Sequence, residues 1–177
     1  EEILRARGLR VENLDADEVR QNISPDLKWS KEDRDMNTKR LAFLGQLLSR
    51  NGVVALVTAV SSLREFRDRA RRMIPRFVEV WSRCPVEILK QRDPKGLYAR
   101  AARGEVNDIA GIHQPFEEPL AAEVVLDTDR ASIEECAKAV VAKLEELCYI
   151  PACAEEPAYS EEEEERVKAR LQALGYL

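Results

Sequence analysis

The stretch VVALVTAV, residues 53–60, carries an apolar or β-branched side chain at each position. An unbroken run of this kind is typical of a strand that is covered on both faces, as strands of parallel sheets are. The run is also far shorter than the roughly 20 apolar residues that cross a bilayer. Residues 53–60 therefore predict an interior strand of a parallel sheet.

Three further segments have strand character, and helical patterns lie between them. The predicted strands are residues 10–15, 77–84 and 123–127. Parallel strands need long connections, and these connections are usually helices. The alternation predicts an α/β fold in which a parallel sheet is flanked by helices.

The clearest predicted helix covers residues 31–50 and is amphipathic. Ser30 with Asp33 resembles a capping box at its start, and Asn51-Gly52 is a typical helix end. Arg34 and Asn37 are three positions apart, so they share one side of the first two turns.

A second predicted helix, residues 63–73, is unusually rich in arginine. Its basic residues are Arg64, Arg67, Arg69, Arg71 and Arg72. Charge runs on helices usually form solvated faces, so we expect these side chains to face water, partly balanced by Glu65 and Asp68.

The second half of the chain divides into a lid, a closing helix and a tail. Residues 92–119 lack a hydrophobic period and gather glycine and proline, which favours a functional lid over a plain connector. Residues 131–147 predict the closing helix, and Ser160 caps a predicted last helix. The expected organisation is one domain, residues 1–149, followed by a linker and C-terminal helix, residues 150–177.

The composition excludes several classes of partner. Lys+Arg 28 against Asp+Glu 33 gives a net charge of −5, so the overall charge does not attract nucleic acid or an acidic membrane surface. No secretory signal opens the chain. Its 4 cysteines form no C-x-x-C pair and there is 1 histidine, which argues against a protein-held metal and favours reduced thiols in a cytoplasmic protein.

A chemical site is indicated where the first predicted strand ends. Asp15 and Asp17 stand there, with Arg20 three positions later. Ligands bind outside the carboxyl ends of parallel strands. A bare D-x-D is a weak signal, because aspartate also begins turns and caps helices, so both interpretations stay open on these residues alone.

Five segments together resemble the adenylylsulfate kinase family. They are DADEVR (15–20), SKEDRDMN (30–37), TAVSS (58–62), RDPKGLYARAARGEVNDIAGI (92–112) and FEEPL (116–120). The resemblance covers residues 1–129 and is most specific in the lid. It implies a P-loop NTPase-like fold and a kinase that phosphorylates the 3′-hydroxyl of adenosine 5′-phosphosulfate (APS) with ATP. The product, 3′-phosphoadenylyl sulfate, belongs to sulfate activation, and Mg²⁺ accompanies the ATP.

The resemblance also implies roles for individual residues. Asp15 matches the family's residue beside the accepting hydroxyl, as base or ligand of a Mg²⁺-bound water. Asp17 and Arg20 match residues that hold APS, and Arg34 and Asn37 match residues on its phosphosulfate and adenine side.

Further positions match in the strand-end loop and the lid. Val60 and Ser61 stand in the family's S-F-I-S-P segment, and Ser61 takes the position sometimes described as a phosphoserine, although direct in-line transfer needs no enzyme phosphate. Lys95 matches a lysine that reaches the nucleotide phosphates. Trp29 and Ile109 occupy the two positions where the family sandwiches the APS adenine between phenylalanines.

Two departures from the family pattern concern the acceptor. Ile109 cannot stack by a π face, whereas Trp29 can. Ala16 replaces a glycine, which an ordinary φ angle would tolerate. These changes leave open a kinase with an altered acceptor, beside the family's own reaction.

A third departure concerns ATP. A kinase of this class needs a G-x-x-x-x-G-K-[ST] loop whose amides cradle the phosphates, and these 177 residues contain none. Residues 1–7 resemble the end of the helix behind such a loop, so we expect about 20–30 further residues upstream. The alternative is a kinase-derived module that binds nucleotides or a partner without catalysis. The sequence leaves oligomeric state open, including a homodimer, as well as fusion to a sulfurylase.

Overall fold

The computed structural model describes residues 1–152 together with Arg166, Arg170 and Gln172. Helices and strands alternate along this part of the chain, in agreement with the α/β prediction. In order they are α1 (Glu2–Ala6), β1 (Val11–Asp15), α2 (Ala16–Asn22), α3 (Lys31–Arg50), β2 (Val54–Thr58), α4 (Arg64–Met73), β3 (Val80–Arg83), α5 (Val86–Arg92), α6 (Leu97–Ala102), β4 (Val124–Asp127) and α7 (Ile133–Glu146).

The strands are parallel, but they form two pairs rather than one continuous sheet. β1 pairs with β2, so that Asp15 lies opposite Thr58. β3 pairs with β4, so that Arg83 lies opposite Asp127. Among the described residues, no strand of one pair is hydrogen-bonded to a strand of the other. The parallel direction confirms the fold class, whereas strand character alone could not indicate which strand edges pair.

Helix α3 begins and ends where its local sequence predicts. The Ser30 hydroxyl accepts a hydrogen bond from the Asp33 amide at 3.1 Å, which satisfies one free donor of the first turn. The Asp33 carboxylate accepts from the Lys28 amide instead of returning to Ser30, so only half of a capping box forms. This hydrogen bond holds the chain before α3 against the start of the helix, beside the candidate site.

The core lies where α1, β1 and α7 meet. Its buried members are Leu4, Val11, Val141, Leu144 and Ile150. A second apolar contact joins α3 and α4, where Leu41, Ala42 and Phe66 are buried. These contacts hold the helices that carry the candidate site residues, because burial of apolar surface is the main favourable term in folding.

The lid contains one short helix, α6, and otherwise irregular chain. Asp93 precedes it with φ of 20°, and its carboxylate accepts hydrogen bonds from the amides of Tyr98 and Ala99. At the other end of the lid, the Glu117 amide donates to the carbonyl of Ser62 at 2.8 Å. The hydrogen bonds of Asp93 thus order the start of the lid internally, whereas the bond of Glu117 attaches its far end to the chain before α4.

Two other expectations concern regions beyond the sheet. The predicted helix after Ser160 falls largely outside the described residues. None of the helices in the described part of the chain combines the length and apolar character that crossing a bilayer requires.

Candidate functional site

Three of the predicted site residues, Asp15, Val60 and Ser61, lie where β1 and β2 end. Asp15 is the last residue of β1, and its register partner Thr58 is the last residue of β2. Ser61 follows three residues later in the loop that leads to α4, and Val60 in that loop is 76% exposed. Asp15 and Ser61 thus follow strands that end at the same edge, as parallel pairing predicts.

Asp15 caps helix α2 with one carboxylate oxygen and presents the other oxygen at the strand edge. Its Oδ1 accepts from the amides of Asp17 at 2.8 Å and Glu18 at 3.3 Å, which caps α2. Its Oδ2 accepts from the Thr58 hydroxyl at 3.2 Å. The Asp17 and Glu18 amides, followed by the Thr58 hydroxyl and the Lys95 charge, lower the pKa of Asp15 despite the opposing effect of desolvation. The capping interpretation is therefore correct, and it keeps the carboxylate ionised.

Ala16 occupies the first helical position of α2, where the resembling family has glycine. It is not among the described residues with a positive φ angle. The methyl side chain therefore causes no backbone strain at this position.

Asp17 connects the strand edge to the lid. Its Oδ2 accepts from Lys95 Nζ at 2.7 Å, although both side chains are largely exposed. The hydrogen bond to Asp17, followed by the charge of Asp17, raises the pKa of Lys95. Exposed ion pairs of this kind contribute little to stability, so a charged ligand can replace either partner.

Arg20 stacks on Trp29. Its guanidinium lies 4.4 Å from the centroid of the Trp29 ring and donates to the Lys28 carbonyl at 2.7 Å. Burial, followed by the charge of Arg34, lowers the pKa of Arg20. The charges of Asp33 and Asp17 act in the opposite direction, so the two guanidinium groups lie in a cluster that also contains carboxylates. Trp29 stays 51% exposed.

Arg34 links the two positions that were matched to an adenine sandwich. Its Nε donates to the carbonyl of Trp29 at 3.0 Å, and one terminal nitrogen donates to the carbonyl of Asp108 at 2.7 Å. Asp108 directly precedes Ile109 in the lid. A guanidinium has five N–H donors, so Arg34 keeps several for a ligand while it holds both segments.

Asn37 lies one helical turn from Arg34 and is 4% exposed. Its Oδ1 is buried and has no hydrogen-bond partner among the described residues. An unpaired buried acceptor costs about 1–3 kcal/mol. A donor that reached this oxygen would therefore be favoured.

A cavity of about 120 Å³ lies between the starts of α3 and α4 and the far end of the lid. Its walls are Lys31, Arg34, Ser62, Leu63, Phe66, Gln114 and Pro115. Leu63, Phe66 and Pro115 give the cavity apolar walls, and Lys31 and Arg34 are its two cationic side chains.

The arginine-rich helix differs from its prediction. Arg67 is only 9% exposed, and its Nε donates to Glu79 at 2.6 Å. Arg71 pairs with Glu79 and with Glu123, and Arg69 pairs with Asp35. The expectation of a solvated face balanced by Glu65 and Asp68 is wrong for these three arginines, because carboxylates from other elements surround them.

Several contacts at the site were not predicted from sequence. The Thr58 hydroxyl could have been found from parallel register, since Thr58 ends the strand next to Asp15. The bonds from Arg34 to the carbonyl of Asp108, from Arg67 to the carbonyl of Glu117 and from the Arg64 amide to the Glu117 carboxylate gave no signal, because each joins segments about 50 or more positions apart.

A family model described as adenylylsulphate kinase matches residues 1–127. Among curated relatives, a probable bifunctional SAT/APS kinase of Sorangium cellulosum is 47% identical over 148 residues, which are 84% of this chain and 26% of that protein. An adenylyl-sulfate kinase of Rippkaea orientalis is 45% identical over 150 residues, 85% of this chain and 83% of that protein.

Solved structures give the same pattern of similarity. The APS kinase CysC of Mycobacterium tuberculosis, in complex with AMPPNP and APS, superposes with a TM-score of 0.78 at 38% identity. The match covers 82% of this chain and 86% of that one. A hexameric APS kinase from Thiobacillus denitrificans superposes with a TM-score of 0.60 at 27% identity, covering 84% of this chain and 26% of that one.

Proposed function

The chain belongs to the adenylylsulphate kinase family of ATP-dependent phosphotransferases, and we propose that its site transfers the γ-phosphoryl group of ATP to the 3′-hydroxyl of APS. The observation that carries this proposal is the carboxylate of Asp15 at the strand edge, followed on α2 by Asp17, which pairs with Lys95 of the lid, and by Arg20, which stacks on Trp29. Phosphoryl transfer depends mainly on such positioning and charge neutralisation.

Asp15 orients the nucleophile in the proposed reaction. Its Oδ2, which carries only the Thr58 hydrogen bond among the described contacts, accepts the proton of the 3′-hydroxyl. As the bond from O3′ to the γ-phosphorus forms, the bond to the leaving ADP breaks and the hydroxyl proton passes to the carboxylate or on to water. Because the pKa of Asp15 is lowered, orientation is its larger contribution and strong basicity the smaller one.

The site fits Mg²⁺ that is held largely by nucleotide phosphates. Mg²⁺ takes one or two carboxylates and keeps several waters, so the Asp15 carboxylate is a sufficient protein contribution. Among the residues that the structure describes, no three His, Cys, Asp or Glu side chains form a metal cage. When bound, Mg²⁺ neutralises charge on the β- and γ-phosphates.

The acceptor is held by residues of α2, α3 and the lid. Arg20 and Arg34 bind the phosphosulfate by charge-assisted hydrogen bonds, and Asp17 contacts the same nucleotide. Trp29 stacks on the adenine with the face that Arg20 leaves free, while Ile109 contributes apolar contact from the lid. Asn37 offers its unpaired Oδ1 to a donor group of the acceptor or to a bridging water.

Lys95, Val60 and Ser61 complete the proposed site. Lys95 exchanges Asp17 for nucleotide phosphate when ATP binds, which its exposed ion pair permits. Val60 and Ser61 form the floor of the acceptor site in the loop after β2. Ser61 contributes its hydroxyl as a contact rather than as a phosphorylated intermediate, because in-line transfer needs no enzyme phosphate.

The proposal is tested with the complete gene product, since a G-x-x-x-x-G-K-[ST] loop does not occur in these 177 residues. We expect Mg²⁺-ATP and APS to give ADP and 3′-phosphoadenylyl sulfate, measured by chromatography of the nucleotides. Adenosine 5′-monophosphate as the acceptor is the control, because it lacks the sulfate. APS binding without ADP formation would instead support the non-catalytic nucleotide-binding module, and neither binding nor turnover would contradict both.

The lowered pKa of Asp15 and the raised pKa of Lys95 predict a flat pH profile. Activity that needs ionised Asp15 is lost only as pH falls through a pKa below its ordinary value, and activity that needs charged Lys95 is lost only as pH rises above about 10.4. We therefore expect kcat/KM for APS, at saturating Mg²⁺-ATP, to change less than about twofold from pH 7 to 9. An acid limb near neutrality that disappears in Asp15→Asn would contradict this assignment.

A further inference from the structure

A buried guanidinium joins the floor of the proposed acceptor site to the base of the lid. The terminal nitrogens of Arg67 donate to the carbonyl of Ser61 at 2.5 Å and to the carbonyl of Glu117 at 2.6 Å. Its Nε donates to Glu79 Oε1 at 2.6 Å, just before β3. One side chain of α4 therefore contacts three separate segments.

Other hydrogen bonds connect the same floor and lid segments. The Glu117 amide donates to the carbonyl of Ser62 at 2.8 Å, and the Glu117 carboxylate accepts from the amide of Arg64 at 2.7 Å. The guanidinium of Arg67 also lies 6.0 Å from the ring centroid of Phe116. The far end of the lid is thus attached to the loop after β2 and to the start of α4.

The planar fork of arginine suits this position better than lysine would. Burying a guanidinium requires that its donors be paired, and Glu79 with two carbonyls provides partners in three directions. Arg71 on the same helix also pairs with Glu79, but its other partners are Glu123 and the carbonyl of Ala121. Of these two arginines, Arg67 alone has described hydrogen bonds to both the floor and the base of the lid.

We infer that Arg67 is a positioning residue for the acceptor nucleotide: it sets the spacing between the loop of Ser61 and the base of the lid at Glu117. The inference rests on the proposed function, in which the loop of Ser61 forms the floor of the acceptor site and the lid contributes residues to the same site. Arg67 does not touch the substrate. It acts through the backbone of Ser61 and Glu117, so its loss displaces the acceptor rather than ATP.

The kinetic test compares Arg67→Ala and Arg67→Lys with Arg71→Ala in the complete gene product. We expect Arg67→Ala to raise KM for APS about tenfold, since small misplacements of bound groups have large effects, while KM for ATP changes less than about twofold. Arg67→Lys keeps the charge near Glu79 but loses the fork, so its KM for APS should be intermediate. Arg71→Ala should lower thermal stability yet leave KM for APS within about twofold of the unmutated protein.

A second readout does not depend on catalysis. Amide hydrogen exchange of residues 116–118 should accelerate in both Arg67 variants and stay unchanged in Arg71→Ala. Arg67 holds the carbonyls of Ser61 and Glu117 on either side of the hydrogen bond from the Glu117 amide to the Ser62 carbonyl, whereas Arg71 bonds neither. If the unmutated protein makes no product, the proposed function is contradicted. Amide hydrogen exchange would then be the one measurement that tests whether Arg67 positions the base of the lid. Unchanged exchange in Arg67→Lys, or an equal rise in KM for APS in Arg71→Ala, would overturn the inference.

Discussion

Replacement of Asp15 by asparagine is expected to lower kcat about 10²–10³-fold in the complete gene product, the usual effect of removing one preorganised electrostatic group. Asparagine caps helices as well as aspartate does, so its oxygen can still accept from the amides of Asp17 and Glu18. The substitution therefore removes the charge at the strand edge and retains the start of α2. KM for both nucleotides should change far less than kcat, because the carboxylate acts on the reacting hydroxyl.

Two matched variants separate charge from capping. Asp15→Ala removes the charge and the cap together, so it should lose activity to a similar extent and stability in addition. Asp26→Asn removes another exposed carboxylate, one that pairs with Arg40, and should leave kcat within about twofold. Steady-state rates and thermal unfolding of the three proteins provide the comparison. Normal turnover in folded Asp15→Asn would contradict the catalytic assignment.

The elements that sequence predicted well are those whose determinants are local. Helix α3 begins and ends as expected, because Ser30 and the Asn51-Gly52 end act within a few residues of the backbone groups that they satisfy. The four strands were each found to within a few residues, and near-continuous apolar and β-branched runs identify the second and third of them. The convergence of Asp15 with the loop of Ser61 followed from parallel pairing alone.

The elements that sequence missed depend on distant partners. The sequence of α4 does not show whether Arg67 and Arg71 face water or the protein interior. The structure distinguishes the two cases, because Glu79 and Glu123 from other segments pair with them. The same limit applies to Arg20, whose stacking on Trp29 arises from the fold of the chain between α2 and α3. Pairing of the strands into two separate sheets is likewise a property of edges, which composition does not encode.

Ile109 illustrates how tertiary contact changes the interpretation of a departure from the family pattern. As an isolated residue it removes half of an aromatic sandwich. In the structure its carbonyl accepts hydrogen bonds from the amides of His113 and Gln114, and the preceding carbonyl binds Arg34. The hydrogen bond from Arg34 to the carbonyl of Asp108 therefore attaches this lid segment to α3 without involving the side chain of Ile109.

Replacement of Arg34 by alanine is expected to weaken APS binding strongly and ATP binding little. A hydrogen bond from a charged group contributes about 1.5–3 kcal/mol, which corresponds to about a 10- to 100-fold rise in Kd for APS. Arg34 also holds the carbonyls of Trp29 and Asp108, so its loss removes an anion contact and the tie between both sides of the adenine site. Both consequences concern the acceptor, since neither contact involves the proposed phosphate site of ATP.

Isothermal titration of the complete gene product separates these two contributions. Arg34→Lys retains a charge but cannot hold both carbonyls with a planar fork, so its Kd for APS should lie between those of the unmutated protein and Arg34→Ala. Lys39→Ala is the matched control, because Lys39 lies on the same helix and pairs with Asp35 outside the proposed site. Its Kd for APS should change less than about twofold, as expected for an exposed ion pair. Equal losses of APS and ATP affinity in Arg34→Ala would remove Arg34 from the acceptor site, whereas selective loss of APS affinity in Arg34→Ala and not in Lys39→Ala would support its assignment to that site.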